Sequence, residues 1–418
     1  MLAPRGRADD PDRMPPIRTI AVLGAVFVFA TAVPARAGTR SLPVGASESA
    51  SLIPDNVVAK ARMDLAVLAG LTVIEVRADW NRGKTAPTVD ELASFQASAL
   101  AAQLDAVRLI VAVNTGFSRQ TPVSPADRAQ FAQYVASLAQ SLPYVRDFIV
   151  GNEPNLNMFW MPQFDKRGRD LAAPAYEALL AQSYDALKAV SPQINVIGGA
   201  ISPRGADRAS SVRQTHSPTT FLRDLGAAYR KSRRTLPIMD MLAIHPYGES
   251  SKTPPTALHP KSTSISIADY PKLVKLLRDA FAGTAQRGAK LPILYGEYGV
   301  QTQIPTDKLG VYTNLGVPTG GDAVSESMQG AYYTRAVKLA YCQPTVAGML
   351  FFHVSDEPDL DRWQSGLFYA DDTPKSDLAQ VKTVAQAAEA GTLTCPKAKP
   401  KAKPKVKKRR HKPRRRHR

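Results

Sequence analysis

At 418 residues the chain is long enough for two average domains or for one α/β barrel, so length excludes neither. The formal net charge of +18 points to nucleic acid until it is divided: Pro396 to Arg418 carries 14 Lys or Arg and no acid, and the first 37 residues carry five Arg against three Asp, which leaves +2 for everything between. A nearly neutral body excludes general electrostatic binding of nucleic acid by the folded part and confines the basic character to the tail.

The first segment, residues 1–37, reads as a secretory signal. Ile20 to Val33 is an uncharged apolar run, preceded by Arg13 and Arg18 and followed by Ala35-Arg36-Ala37, a small-residue cleavage pattern. The run is short for a membrane span. Met14 would serve as a start that gives a compact leader, and the mature protein is expected to begin near Gly38. Secretion or attachment to the cell surface follows.

From Ser41 to Ala390, short β-rich apolar runs alternate with segments of helical period, the pattern of βα units and a parallel sheet. The runs are Leu42 to Ala46, Thr72 to Val76, Leu109 to Val113, Phe148 to Val150, Ile194 to Ile197, Met239 to Ile244, Ile293 to Tyr295 and Ala347 to Phe352. The expected helices are Asp55 to Ala69, Val89 to Gln103, Pro125 to Gln140, Pro174 to Val190, Thr219 to Lys231, Ile267 to Gly288, Ser325 to Tyr341 and Lys375 to Ala390. Thr88-Val89-Asp90-Glu91 and Ser124-Pro125-Ala126-Asp127 carry clear helix-start signals. Eight units in this order predict a single-domain (β/α)₈ TIM barrel over residues 38–395, with its chemistry where strands end and loops begin. A doubly wound sheet would want a glycine-rich turn after its first strand, and Ser47-Glu48-Ser49 stands there instead.

Cys342 and Cys395 are the only cysteines. In an exported protein an even pair suggests a disulfide, which would pin the terminus where the basic tail departs; the alternative is two unpaired thiols. The tail, residues 396–418, cannot bury apolar surface and is expected to be disordered. Its expected partners are anionic wall polymers or a membrane surface, unless it only solubilises.

Two short motifs carry chemistry. Gly151-Asn152-Glu153-Pro154-Asn155 follows the fourth run, and Gly296-Glu297-Tyr298-Gly299 ends the seventh, 144 residues later. Each places a carboxylate at a strand end, the first beside an amide able to bind a sugar hydroxyl. The loops from Asn155 to Ala173 and from Gln301 to Ser325 are long enough to overhang the same mouth.

On these residues the stretch from about Leu42 to Ala390 resembles a clan A glycoside hydrolase, closest to families 5 and 39. The resemblance implies a retaining mechanism, with Glu153 as acid/base and Glu297 as nucleophile, and Asn152 on the 2-hydroxyl. It also implies that Arg77, ending the second run, orients the nucleophile and keeps it anionic, and that His245 and Tyr247 of Ile244-His245-Pro246-Tyr247-Gly248 contact sugar and nucleophile. One departure is visible: many clan members end strand eight with a tryptophan under the sugar, whereas this chain reads Phe351-Phe352-His353, so stacking there falls to Phe352 or His353 or is lost. Trp80, Trp160 and Trp363 all lie just after strands, and Trp160, in Met158-Phe159-Trp160-Met161, is the preferred platform.

The expected partner is a polysaccharide or oligosaccharide, acted on by a monomer without cofactor or metal. The cysteines are not spaced as ligands, and no phosphate-binding glycine motif follows a strand. A rival reading is a carbohydrate-binding or wall-associated barrel that has lost catalysis.

Overall fold

A computed structural model describes residues 40–210, 212–316 and 322–396. The proposed signal segment lies outside these residues, as does the tail beyond Pro396. Eight strands, β1 (Val44–Ser47), β2 (Val73–Asp79), β3 (Arg108–Asn114), β4 (Asp147–Val150), β5 (Asn195–Ile201), β6 (Met241–Ile244), β7 (Ile293–Tyr298) and β8 (Val346–Phe352), pair in sequence order, all parallel. The ring closes where β1 pairs with β8, Ala46 opposite Phe351. The expected TIM barrel is therefore the fold, and the doubly wound alternative is excluded by closure.

Between the strands run α1 (Asn56–Leu68), α2 (Val89–Leu104), α3 (Pro125–Ser141), α4 (Ala172–Val190), α5 (Pro218–Ser232), α6 (Tyr270–Ala280), α7 (Glu326–Tyr341) and α8 (Leu378–Glu389). Both start signals act as the sequence suggests: the Thr88 hydroxyl accepts from the Glu91 amide while the Glu91 carboxylate accepts from Thr88, and Ser124 and Asp127 make the same reciprocal pair. The sixth helix is shorter than expected. A 3-10 turn at Ile267–Asp269 precedes it, and beyond Ala280 the chain reaches Gly283 at φ +70°, which ends helical geometry well before Gly288.

Strand side chains alternate between two cores. One set packs outward against the helices. The other fills the lumen with Val73, Ile110, Ala112, Ile149, Ile197, Met241, Ala243, Leu294 and Leu350, so the barrel is a packed core and not a pore. Cys342, capping the end of α7, and Cys395 are bridged, with Cα atoms 5.5 Å apart. The disulfide alternative is thus the one realised, and it closes 53 residues of separation that include β8 and α8.

Candidate active site

The first glutamate is placed by a locked turn. β4 ends at Val150, Gly151 turns the chain at φ +81°, and Glu153 itself sits at φ +38°, a conformation that side-chain-bearing residues seldom adopt. Neighbours hold that geometry in place. The Glu153 amide donates to the Ala200 carbonyl at 2.9 Å, and the buried Tyr176 hydroxyl donates to Val150 O while accepting from the Gly199 amide. A Cβ on Gly151 would come within 3.1 Å of the Tyr176 ring, so the positive φ and the close ring both favour glycine there. Asn155 then anchors the following loop, its amide donating to the Ser202 and His216 carbonyls. Strain concentrated around a carboxylate at a strand end is a mark of a working site.

His245, at the end of β6, joins the two glutamates. Its Nδ1 lies 3.1 Å from Glu153 Oε1 and 3.4 Å from Glu297 Oε2. Because both contacts share one nitrogen, those two oxygens are separated by at most the sum of the distances, 6.5 Å. Tyr247 donates its hydroxyl to Glu297 Oε2 at 2.9 Å. Gly296 makes room for the histidine: a Cβ there would stand 3.2 Å from the imidazole. The two carboxylates face one space, as the motifs predicted.

Electrostatics follow from this enclosure. Burial alone would drive the His245 imidazole toward neutrality, but Glu297, Glu153 and Glu75 outweigh it and push its pKa up to about 9, so it is a cation at neutral pH. Burial, reinforced by the charge of Glu153, pushes the Glu297 carboxyl up; His245, the Tyr247 hydroxyl and His353 pull it back toward the ionised form a nucleophile needs. Tyr247 is held far above the ordinary phenol range, first by burial and then by Glu297, and remains a donor.

Glu75 completes the cluster and was not anticipated. It lies in mid-β2, on the face of Val73 by strand alternation, with its carboxyl buried, Oε1 accepting from Ser47 at 3.3 Å and Oε2 without a hydrogen-bond partner among the described residues. Burial, then repulsion from Glu297, pushes its pKa up to about 8, so it is a neutral acid at pH 7. The signal in the sequence was a charge interrupting Thr72-Val73-Ile74-Glu75-Val76.

The rim residues divide. Asn152 is half-buried beside Glu153, and its amide makes no hydrogen bond among the described residues, leaving it open to a ligand. Arg77 does not meet Glu297. Asp79, two residues on and so on the same strand face, captures its guanidinium at 3.1 Å in an exposed pair, and Glu297 is held by His245 and Tyr247 instead. Trp160 is no platform either: it is 2% exposed and meets Tyr176 edge-on at 5.6 Å, so it has no face to offer a sugar. Trp80 is likewise buried, its indole donating to Lys84 O. Trp363 is the tryptophan that reaches the site, 5.4 Å from Tyr247 and 5.3 Å from Phe352. Phe352 stacks on His353 at 4.0 Å and meets Tyr247 at 6.2 Å. An aromatic wall therefore stands beside Glu297, built from Phe352 at the end of β8 and Trp363 in the loop after it.

A mouth with two convergent carboxylates, a free amide and an aromatic wall is suited to acid/base and nucleophilic chemistry on a sugar. No family model matches this chain, and no curated protein matches it. Among solved structures it is similar to a family 39 glycoside hydrolase from the gut symbiont Bacteroides cellulosilyticus WH2, at 19% identity and TM-score 0.57 over 84% of this chain. The matched part spans 64% of that longer protein. A family 5, subfamily 18 glycoside hydrolase from Streptomyces cattleya in complex with GlcNAc matches at 16% identity and TM-score 0.53, over 84% of this chain and 81% of that one. A monomeric beta-xylosidase from Caulobacter crescentus CB15 matches at 17% identity and TM-score 0.50, over 82% and 67%. At these identities the likeness is one of fold.

Proposed function

We propose that this chain is an exported retaining glycoside hydrolase that cleaves O-glycosidic bonds of a polysaccharide or glycoside by double displacement. The observation that carries the reading is the shared histidine nitrogen, which limits the facing oxygens of Glu153 and Glu297 to a separation of 6.5 Å. Retaining enzymes hold their carboxyl groups about 5 to 5.5 Å apart, and inverting ones about 6.5 to 9.5 Å, to fit a water between. The bound favours the shorter class.

In the first step Glu297 Oε attacks the anomeric carbon while Glu153 gives its proton to the departing oxygen. A glycosyl ester on Glu297 forms as the C–O bond breaks. In the second, Glu153 takes a proton from water, whose oxygen displaces Glu297 and restores both carboxyls. Asn152 would hold the 2-hydroxyl, a contact that tightens in the transition state. Trp363 and Phe352 offer the sugar its apolar contact, which weakens the rival reading of a binding-only barrel, since that reading leaned on the missing strand-eight tryptophan. The Cys342–Cys395 bridge suits an oxidising compartment and so supports export.

The test is proton NMR of the first product released from β-linked glucans, mannans, xylans and aryl glycosides. Retained anomeric configuration is expected, and Glu153→Ala and Glu297→Ala should each lose orders of magnitude in turnover while remaining folded. An inverted product removes the double displacement, and full activity in either variant removes the assignment.

A further inference from the structure

The loops crowning the barrel divide by charge along the line between the two glutamates. Those following β2 to β6, residues 80–88, 115–124, 151–171, 202–210, 212–217 and 245–269, hold eleven Arg or Lys against six Asp or Glu. Those following β7, β8 and β1, residues 299–316, 322–325, 353–377 and 48–55, hold three against eleven. General basicity does not explain this, because the chain between leader and tail carries only +2.

Pairing sharpens the contrast. On the acidic half, Lys375 is buried against Asp356 and Lys308 pairs with Asp371. On the basic half, Arg119, Lys166, Arg167, Arg204 and Arg208 are exposed and have no carboxylate within ion-pair distance among the described residues. These loops form one continuous rim. Ser118 N donates to Met158 O at 3.0 Å, Asn157 Nδ2 to Val212 O at 3.4 Å, and Arg204 Nη1 to Gly248 O. Arg119 is held over the Phe117 ring, 5.2 Å from its centre.

Apart from Asn152 and Tyr247, which reach from the basic side to the retained sugar and to Glu297, the division follows the two halves of a scissile bond. Glu297, Phe352 and Trp363 stand on β7, β8 and the loop after it, where the sugar retained on the enzyme would lie. Glu153 stands on β4, within the basic half, where the leaving group would lie. We infer that the leaving half of the substrate carries anionic groups, carboxylate or sulfate, and that the half bound over the nucleophile carries none. This rests on the roles proposed for Glu153 and Glu297. Cations fixed around a concave mouth raise the local concentration of an anion, and a like-charged wall opposite fixes which end enters first.

The experiment uses three aryl glycosides of one sugar, chosen from those the chain turns over, with phenols of matched acidity that are neutral, carboxylated or sulfonated. With the full chain at low salt, kcat/KM is expected to be about tenfold higher for an anionic phenol than for the neutral one, the advantage shrinking as salt shortens the screening length to about 3 Å near 1 M. Comparing the carboxylated with the sulfonated phenol tells which anion is preferred. In the double variant Arg119→Glu, Arg208→Glu the ratio of anionic to neutral should fall to one or below, the tail being the same in both proteins. Equal rates in the wild type, or a ratio unmoved by the double variant, overturns the inference and leaves the glycosidase reading standing. Absence of turnover of every aryl glycoside and every β-linked glucan, mannan and xylan removes both.

Discussion

A carboxyl group inside a barrel strand is costly unless it stays protonated or finds a cation. Glu75 does the first, its pKa pushed up by burial and then by Glu297, while Glu153 and Glu297 find their cation in His245. The sign of its effect on stability follows from its pKa, which rises from an ordinary 4.5 to about 8 on folding. The folded state then holds a proton that the unfolded chain releases, so stability at this position is lost as pH rises from 4.5 to about 8. Glu75→Gln cannot ionise. Its stability should match that of the wild type near pH 4 and exceed it increasingly up to about pH 8, by a few kcal/mol at most, read as a growing excess in melting temperature. A pH-independent difference in thermal unfolding would show that Glu75 does not change protonation on folding.

The element that brings Trp363 to the site is the long connection from β8 to α8, and it is pinned from beneath. Lys375 and Asp356, both fully buried, pair at 2.8 Å, and the same ammonium donates to Thr302 Oγ1 at 2.7 Å in the loop after β7. Tyr312 donates to the other Asp356 oxygen at 2.8 Å. Removing one partner strands a buried charge. Lys375→Met should therefore cost about 3–5 kcal/mol in chemical denaturation, and adding Asp356→Leu should recover part of it. The single variant is also expected to raise KM, because the loop carrying the aromatic wall loses its anchor. Equal stability of variant and wild type would mean the pair is not structural.

On the scale of the whole molecule, the disulfide closes the last βα unit. Constraint of the unfolded chain by a loop of this separation is worth about 4 kcal/mol. Cys342→Ser with Cys395→Ser should lower the melting temperature by that equivalent, while kcat of the folded protein holds, because the bridge lies at the end of α7, away from the strand ends that carry the glutamates. Loss of turnover in the folded variant would contradict that separation. The basic segment 397–418 begins two residues past the bridge. Its removal is expected to abolish salt-sensitive retention on anionic wall preparations and to leave hydrolysis of a soluble substrate intact, as measured by co-sedimentation and assay in parallel; equal retention with and without it would end the anchoring proposal.

Periodicity, turn residues and capping signals are local, and so they sufficed for eight βα units, their order and the strand ends bearing Glu153 and Glu297. Once the strands are ordered, closure alone puts the fourth and seventh ends around one mouth. What needed tertiary structure was every choice among residues equally placed along the chain. Three tryptophans follow strands, but only packing decided that Trp80 and Trp160 are buried and Trp363 reaches the site. Arg77 stands where the resemblance expects a partner of the nucleophile, yet Asp79 on the same strand face competes for it. Glu75 interrupts an apolar run, and only the closed barrel sets its charge near His245 and Glu297. The division of charge across the rim appears only when loops far apart in sequence are ordered around a ring, because a long-range field depends on where charges sit in space and not on their spacing along the chain.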